Sequence, residues 1–282
     1  MVSFRCPICH GPLRRQDHSL YCPNRHCFDL AKSGYVNLLP ANRMHSKLPG
    51  DNKLMVQGRN SFLNRGYYAP LLDALREEVR EILSNHGEPC EENHFTFLDA
   101  GCGEGYYTAG MAEELAEKVP AFTALGVDIS KTALALAAKR TKLASFAVAS
   151  VFDLPIEDRG CDLVTEIFAP FCREEFYRVL KSGAILLLVI PSADHLFELK
   201  QAVYREPYLN EAKPYELEGF TLMDRREVQG QIDLSCTEDI QNLFTMTPYY
   251  YKTSREDAEQ LLRLEQLTTT IHFELLRYQK VK

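Results

Sequence analysis

The sequence has no apolar stretch long enough to cross a bilayer. Its longest clean apolar run, Ala184–Ile190, falls far short of the roughly 20 residues a spanning helix needs. The chain opens Met1-Val2-Ser3-Phe4-Arg5-Cys6, with no apolar core ahead of a small-residue cleavage site, so no export signal is expected. It has no internal repeat and no low-complexity tract, which sets repeat arrays aside. With 45% hydrophobic and 25% charged residues, it lacks the compositional extremes of disordered or fibrous chains. These absences leave a soluble cytoplasmic protein with no membrane partner, whose 282 residues suffice for one large domain with a small appendage.

Charge is unevenly placed. The net charge is −7, yet residues 1–66 hold ten Lys/Arg against three Asp, so that quarter is +7 and the remainder −14. A basic quarter on an acidic body points to a polyanionic partner, against the plainer reading of a solvated basic face.

Nine Cys in a chain without an export signal do not read as a disulfide framework, because the cytoplasm keeps thiols reduced. Cys6-Pro7-Ile8-Cys9 and Cys22-Pro23-Asn24-Arg25-His26 together have the form C-x2-C-x12-C-x3-H. Zinc takes four tetrahedral sulfur or nitrogen ligands, and two close pairs on a short ribbon supply them without a large fold. Cys6, Cys9, Cys22 and His26 are the expected ligands, with Cys27 a rival for the fourth place and His10 and His18 weaker rivals. Four protein ligands leave no position for water, so the zinc is expected to be structural. Its binding energy would replace a core that a ribbon of about 30 residues cannot build.

Residues 1–40 are expected to form this zinc module, 41–69 a basic linker and helix, and 70–282 the main domain. Pro49-Gly50-Asp51 reads as a turn and residues 54–66 as a helix. A second helix is predicted over Pro70–Asn85, where Leu71, Leu72, Leu75, Val79, Ile82 and Leu83 recur at helical spacing. From Phe95 the pattern alternates, with strands at Phe95–Ala100, Phe122–Val127, 145–149, 161–168 and 184–190. Helices fall after the first strand's glycine turn, from Ser130, and near 173–180. This regularity predicts an α/β fold, a parallel sheet with helices on both faces. In the tail, Thr245–Tyr251 and Thr268–Leu275 are expected as an antiparallel pair, separated by a helix from Arg255 to Leu264.

The segment Leu98-Asp99-Ala100-Gly101-Cys102-Gly103-Glu104-Gly105-Tyr106 puts three glycines between a strand and a helix, the context a cofactor-binding turn requires. A dinucleotide fold wants Gly or Ala at the sixth position of G-x-G-x-x-G so that the helix can close on the sheet. Tyr106 stands there, which disfavours a pyrophosphate. The alternative is S-adenosylmethionine, whose amino-acid tail and ribose need close backbone approach at Gly101, Gly103 and Gly105 but no phosphate nest. Asp128, ending the next strand, is placed to take the ribose hydroxyls. Turn and acid together read as a Rossmann-like class I methyltransferase sheet rather than a dehydrogenase.

Along essentially its whole length the chain resembles the bacterial 23S rRNA (guanine-N1)-methyltransferases of the RlmA type. The resemblance rests on the two Cys-Pro knuckles, Phe28–Pro40, Pro49-Gly50-Asp51, Gly66–Leu71, Gly101–Thr108 and His195–Lys200. It implies zinc at Cys6, Cys9, Cys22 and His26, and S-adenosylmethionine contacts at Tyr68, at Gly103-Glu104 and at His195. It also implies a guanine in a hairpin loop of 23S rRNA as substrate, and a homodimer whose paired basic modules form an RNA cleft. An aromatic face beside a sulfonium is a favourable cation–π partner, at roughly 0.5–2 kcal/mol, which suits Tyr68.

N1 of guanine carries a proton and lies on the pairing edge, so the base must be unpaired and that proton lost. Tyr67, Phe168 or Phe171 would stack on it, and Glu166, at the mouth of the fourth strand, is the natural proton acceptor. The chain departs from common class I patterns in two places. Ser150 stands where many such enzymes carry an acid facing the adenine, with Asp153 three residues on. Glu166-Ile167-Phe168-Ala169-Pro170 replaces the Asp/Asn-Pro-Pro-aromatic signature of amino-group methylases. The rival readings are a methyltransferase acting on tRNA or a small molecule, and a non-catalytic zinc-ribbon RNA-binding protein. The latter is expected to lose the glycine turn or Asp128, and both are intact.

Overall fold

The computed structural model describes residues 4–40, 50–85, 94–211, 214–261 and 263–281. The basic stretch expected over 41–49, with Arg43 and Lys47, lies outside the described residues. Three short strands, β1 (Arg14–Gln16), β2 (Ser19–Tyr21) and β3 (Cys27–Asp29), form an antiparallel sheet of their own. Next come β4 (Val36–Asn37), α1 (Lys53–Asn64) and α2 (Ala69–Asn85). The alternating body is β5 (Phe95–Ala100), α3 (Tyr106–Lys118), β6 (Phe122–Asp128), α4 (Lys131–Arg140), β7 (Ala144–Val148), β8 (Cys161–Ile167), α5 (Arg173–Val179), β9 (Leu180–Pro191) and α6 (Phe197–Val203). The tail holds β10 (Phe220–Leu234), α7 (Thr237–Thr245), α8 (Tyr249–Lys252), α9 (Arg255–Leu261) and β11 (Leu267–Lys280).

Eight strands make one sheet in the order β10-β11-β9-β8-β5-β6-β7-β4. Strands β4 to β9 run parallel, and β11 pairs antiparallel with both β9 and β10. Because β5 has β6 on one side and β8 on the other, the winding reverses at β5. The crevice beyond the C-terminal end of that strand is where open α/β sheets bind ligands. Every residue of β5 and β8 is buried, as strands covered on both faces require.

One sheet face packs Phe97, Leu163, Leu187 and Phe273 against Leu71 and Leu75 of α2, Met111 and Leu115 of α3, and Leu199 of α6. The opposite face packs on α5 and on the N-terminal ribbon. Phe4, Cys6, Leu13 and Cys22 share one buried cluster with Leu98, Leu125, Val164, Phe176 and Leu186. The ribbon also joins the sheet through its backbone. Val36 of β4 pairs with Ala147 and Asn37 with Val148, and the Arg5 N–H donates to the Pro155 carbonyl at 2.8 Å. The domain boundary expected at residue 40 thus follows a strand that belongs to the large sheet.

The tail differs from expectation. Thr245–Tyr251 is not a strand; it is the end of α7 and most of α8, with Pro248 as the N-cap of α8. Ile240, Leu243 and Phe244 recur at helical spacing just upstream and are buried, and that packing overrides the β preference of the tyrosines. The antiparallel partner of β11 is instead β10, whose Asp224-Arg225-Arg226-Glu227 centre has little intrinsic strand tendency. Charge pairing supports it: Arg226 donates to Glu81 at 2.6 Å and Arg225 to Glu274 at 2.9 Å. The buried Glu78 carboxylate lies 3.4 Å from Arg226 and 3.3 Å from Arg277. No helix among the described residues is long and apolar enough to cross a membrane.

Since Cys6 and Cys22 sit in the sheet's own core cluster, damage to the ribbon should spread. Cys22→Ala is expected to raise amide exchange in 36–39 and 147–155 as well as within the ribbon. Hydrogen-exchange mass spectrometry checks this, and loss of protection confined to 4–35 would show that ribbon and sheet are energetically independent.

Candidate functional site

Two tight turns of the ribbon bring together Cys6, Cys9, Cys22 and His26, with their ligand atoms all within 4.8 Å of one another. Cys9 Sγ lies 3.5 Å from Cys22 Sγ, and His26 Nδ1 lies 3.3 Å from Cys22 Sγ and 3.5 Å from Cys6 Sγ. A tetrahedron with metal–ligand bonds of roughly 2.1–2.3 Å has edges of roughly 3.4–3.8 Å, so these spacings fit zinc. The Ile8 N–H points at Cys6 Sγ at 3.4 Å and the His26 N–H at Cys22 Sγ at 3.3 Å, donors that stabilise thiolate charge. A backbone hydrogen bond from Gly11 leads in lowering the Cys9 thiol to about 6. Cys27 is exposed and directed at Asp29, 3.9 Å away, and lies outside the cluster, as do His10 and His18.

The glycine turn leaves β5 where the winding reverses. Gly101, Gly103 and Gly105 have φ of 90°, 54° and 80°, values at which side-chain-bearing residues are strained. A Cβ at Gly101 would lie 2.3 Å from Ala169 Cβ, and one at Gly105 would lie 2.8 Å from Ala137 Cβ. At Gly103 the nearest atom is Arg59 Nη1 at 3.8 Å, so this glycine is the open one.

Three buried carboxylates and two guanidinium groups stand around that opening. Asp128 accepts from the Gly103 N–H at 2.9 Å and the Ser130 N–H at 2.7 Å, yet burial still raises its pKa. Asp99 accepts from the Thr108 and Thr165 hydroxyls, and burial lifts it to about 6. Burial also raises Glu104, whose Oε1 has no hydrogen-bond partner among the described residues and only the Arg140 guanidinium at 3.8 Å. The buried Tyr107 hydroxyl is likewise without a partner. Arg59 reaches over from α1, paired with Asp51 and donating to the Met246 carbonyl at 3.3 Å. Burial opposes its charge, but Asp51, Glu104 and Asp128 outweigh that effect and raise its pKa.

The turn is therefore a net-acidic cradle with one anion-binding arm. A pyrophosphate would meet three carboxylates. A ligand with a sulfonium, an ammonium and a single carboxylate matches the cradle in sign. The unpartnered Glu104 oxygen and Tyr107 hydroxyl, and the open face of Gly103, fit S-adenosylmethionine.

Tyr68, just ahead of α2, and His195, just past β9, meet at the same edge, with the Tyr68 hydroxyl 3.4 Å from His195 Nε2 and both side chains buried. The His272 N–H donates to His195 Nδ1 at 3.1 Å, so the neutral ring carries its proton on Nε2 and donates it to Tyr68. Burial lowers His195 to about 3 and raises Tyr68, so both stay neutral. Phe273 packs on His195 at 4.6 Å and on Tyr68 at 4.9 Å between ring centroids.

Among the aromatic candidates, the Tyr67 hydroxyl is tied to Asp239 at 2.7 Å and Phe171 packs on Phe176 at 5.4 Å. Phe168 packs on Phe273 at 5.4 Å and remains 45% exposed. Glu166, expected as proton acceptor, is buried and its Oε1 caps the Ala169 N–H, so it shapes the turn after β8. All seven expected cofactor residues thus gather on one sheet edge. Sequence reading did not single out Arg59, Asp99 or Tyr107. Asp99 and Tyr107 flank the glycines and were legible there, whereas Arg59 lies on a separate helix and carries no such signal.

Residues 4–47 match the family described as “RlmA, N-terminal”, a zinc ribbon, and residues 91–243 match a methyltransferase domain. The 23S rRNA (guanine(748)-N(1))-methyltransferase of Streptomyces fradiae is 39% identical over 200 residues, covering 71% of this chain and 67% of the relative. YxjB of Bacillus subtilis (strain 168), provisionally named as a 23S rRNA (guanine-N(1)-)-methyltransferase, is 32% identical and covers 97% of this chain and 95% of its own. Among solved structures, the YcgJ protein of Bacillus subtilis superposes with a TM-score of 0.48 at 15% identity, over 73% of this chain and 99% of its own. The methyltransferase domain uses S-adenosylmethionine, and the ribbon's metal is zinc.

The raised Asp99 carboxyl has a consequence for stability. The folded state holds that proton more tightly than the unfolded chain, so Asp99 favours folding at low pH and that contribution is lost as pH rises. The window runs from about 4 to about 6 and spans about 3 kcal/mol. In urea melts of the cofactor-free protein across this window, Asp99→Asn is expected to lose less stability with rising pH than the parent. Parallel slopes would show that Asp99 titrates normally.

Proposed function

The chain belongs to the RlmA-type family of 23S rRNA (guanine-N1)-methyltransferases, and on that premise we propose that it methylates N1 of one guanine in a hairpin loop of 23S rRNA. We assign the reaction to the cytoplasm and to a homodimer whose paired ribbons face the RNA. One observation carries the reading: the open glycine, Gly103, lies between Arg59 and an unpartnered Glu104, on the edge closed by Tyr68 and His195.

Tyr68, Gly101, Gly103, Glu104, Gly105, Asp128 and His195 hold the cofactor, with Asp128 on the ribose hydroxyls and Glu104 toward the ammonium. Arg59 takes the carboxylate. S-adenosylmethionine supplies a methyl group on a sulfonium, an electrophile that any exposed nucleophile nearby would attack. Two of the site's side chains are disarmed: His195 has Nδ1 engaged by a backbone N–H and a proton on Nε2, and burial keeps Tyr68 protonated. Guanine N1 would attack the methyl carbon as the sulfur–methyl bond breaks to leave a neutral thioether, with the N1 proton passing to water. Cys6, Cys9, Cys22 and His26 hold zinc, which fixes a basic ribbon beside this edge to bind phosphates.

Incubation with labelled S-adenosylmethionine and unmodified 23S rRNA, followed by nucleoside mass analysis, is expected to yield N1-methylguanosine. Transfer to tRNA alone, or no transfer with cofactor bound, would overturn the substrate assignment. Arg59→Ala is expected to weaken S-adenosylhomocysteine binding by about 10- to 100-fold, as loss of a charged hydrogen bond does. It should leave 5′-methylthioadenosine, which lacks the amino-acid tail, bound as before. Equal loss for both ligands would remove Arg59 from the carboxylate site.

A further inference from the structure

We propose that Phe168 is the platform on which the acceptor guanine stacks, and that its strained backbone holds the ring where N1 meets the methyl group. The proposal rests on the methyl-transfer reading above and deepens it.

Phe168 is the first residue beyond β8, the strand next to β5. Its neighbour Ala169 abuts the glycine turn so closely that a Cβ on Gly101 would lie 2.3 Å from Ala169 Cβ. On its other side Phe168 packs against Phe273, which itself touches Tyr68 and His195. Phe273 is fully buried and Phe168 is 45% exposed, so the aromatic cluster at this edge ends in one open ring. Of the two rival aromatics, Tyr67 is tied to Asp239, and Phe171, though 39% exposed, packs on Phe176 in the core cluster of the opposite sheet face rather than on the cluster of Phe273 and Tyr68.

The backbone supplies a second, independent observation. Phe168 has a φ of 57°, a conformation that bulky side chains rarely adopt. Glu166 enforces it by capping the Ala169 N–H, and the Phe168 N–H reaches the Val189 carbonyl at 3.4 Å. Strain of this kind persists where the surroundings over-determine a conformation, and it concentrates at functional sites. An unpaired base has lost its partner and its neighbours, and an aromatic ring replaces part of that stacking. The chain lacks the Asp/Asn-Pro-Pro-aromatic turn that would aim a ring by proline, and the left-handed residue does that work instead.

The test uses the full-length zinc-loaded protein, S-adenosylmethionine and unmodified 23S rRNA. Phe168→Leu, which keeps apolar bulk but removes the ring, is expected to lower kcat/KM for RNA by about 5- to 150-fold, the loss typical of one base stack. Phe168→Trp is expected to stay within about threefold of the parent. Phe168→Gly, which adopts this φ without strain, is expected to lose as much turnover as the Leu variant. S-adenosylhomocysteine affinity, measured by calorimetry, should be unchanged in all three. The platform role is overturned if the Leu variant turns over normally, if Trp is as defective as Leu, or if cofactor affinity falls in parallel with activity. Absence of N1-methylguanosine from the parent protein would overturn the functional reading itself, and the platform with it.

Discussion

The structure depends on one electrostatic constraint, the burial of Asp99, Glu104 and Asp128 around a single turn. Carboxylates leave water at a high cost, and the chain offsets that cost group by group. Asp99 takes two threonine hydroxyls, Asp128 two backbone N–H groups, and Glu104 faces Arg140 and Arg59. The compensation is incomplete, since all three carboxyls remain raised by burial and Glu104 Oε1 has no hydrogen bond. That residual imbalance is a preorganised field for a cationic ligand, made before the ligand arrives.

Arg59 ties the constraint to the rest of the chain. It lies on α1, whose N-terminus is set by the Asn52 cap and by Asp51, and the Asp51 carbonyl accepts from Ser130 Oγ at 3.2 Å. A Cβ on Gly50 would lie 2.8 Å from Ile129, so the turn ahead of α1 sits directly on the loop after β6. Residues 50–59 are thereby packed against the glycine turn and the loop after β6. The ribbon is held just as closely, through β4 in the sheet and Cys6 and Cys22 in its core. A ribbon too small to bury a core of its own borrows a face of the sheet, and is thereby fixed relative to the strands.

What the sequence reveals follows the range of the interaction. The zinc ligands, the glycine turn, Asp128 and the strands of the body are set by residues a few positions apart, and their spacing announces them. Strand β10 has no such signature, because ion pairs with α2 and β11 support its charged centre. Thr245–Tyr251 looks β-rich by residue type and is helical because Ile240, Leu243 and Phe244 bury one face upstream. Arg59 is invisible for the same reason: its meaning comes from carboxylates on two other elements.

Backbone strain marks the same edge from another direction. Six non-glycine residues among those described have positive φ, and four of them are His10, Asp17, Arg25 and Arg159. The first three belong to turns of the ribbon. The two apolar ones are Phe168 and Leu196, which are the costliest kind of residue to place there. Phe168 follows β8, and Leu196 adjoins His195 at the start of α6, where its N–H is held by the Thr270 carbonyl at 2.8 Å. Neither is a turn residue by composition, and each is pinned by a partner from elsewhere in the chain. Both sit on the edge that the glycine turn and its carboxylates define. Local rules are broken most along this edge, and packing alone gives no reason for the two exceptions to follow neighbouring strands there.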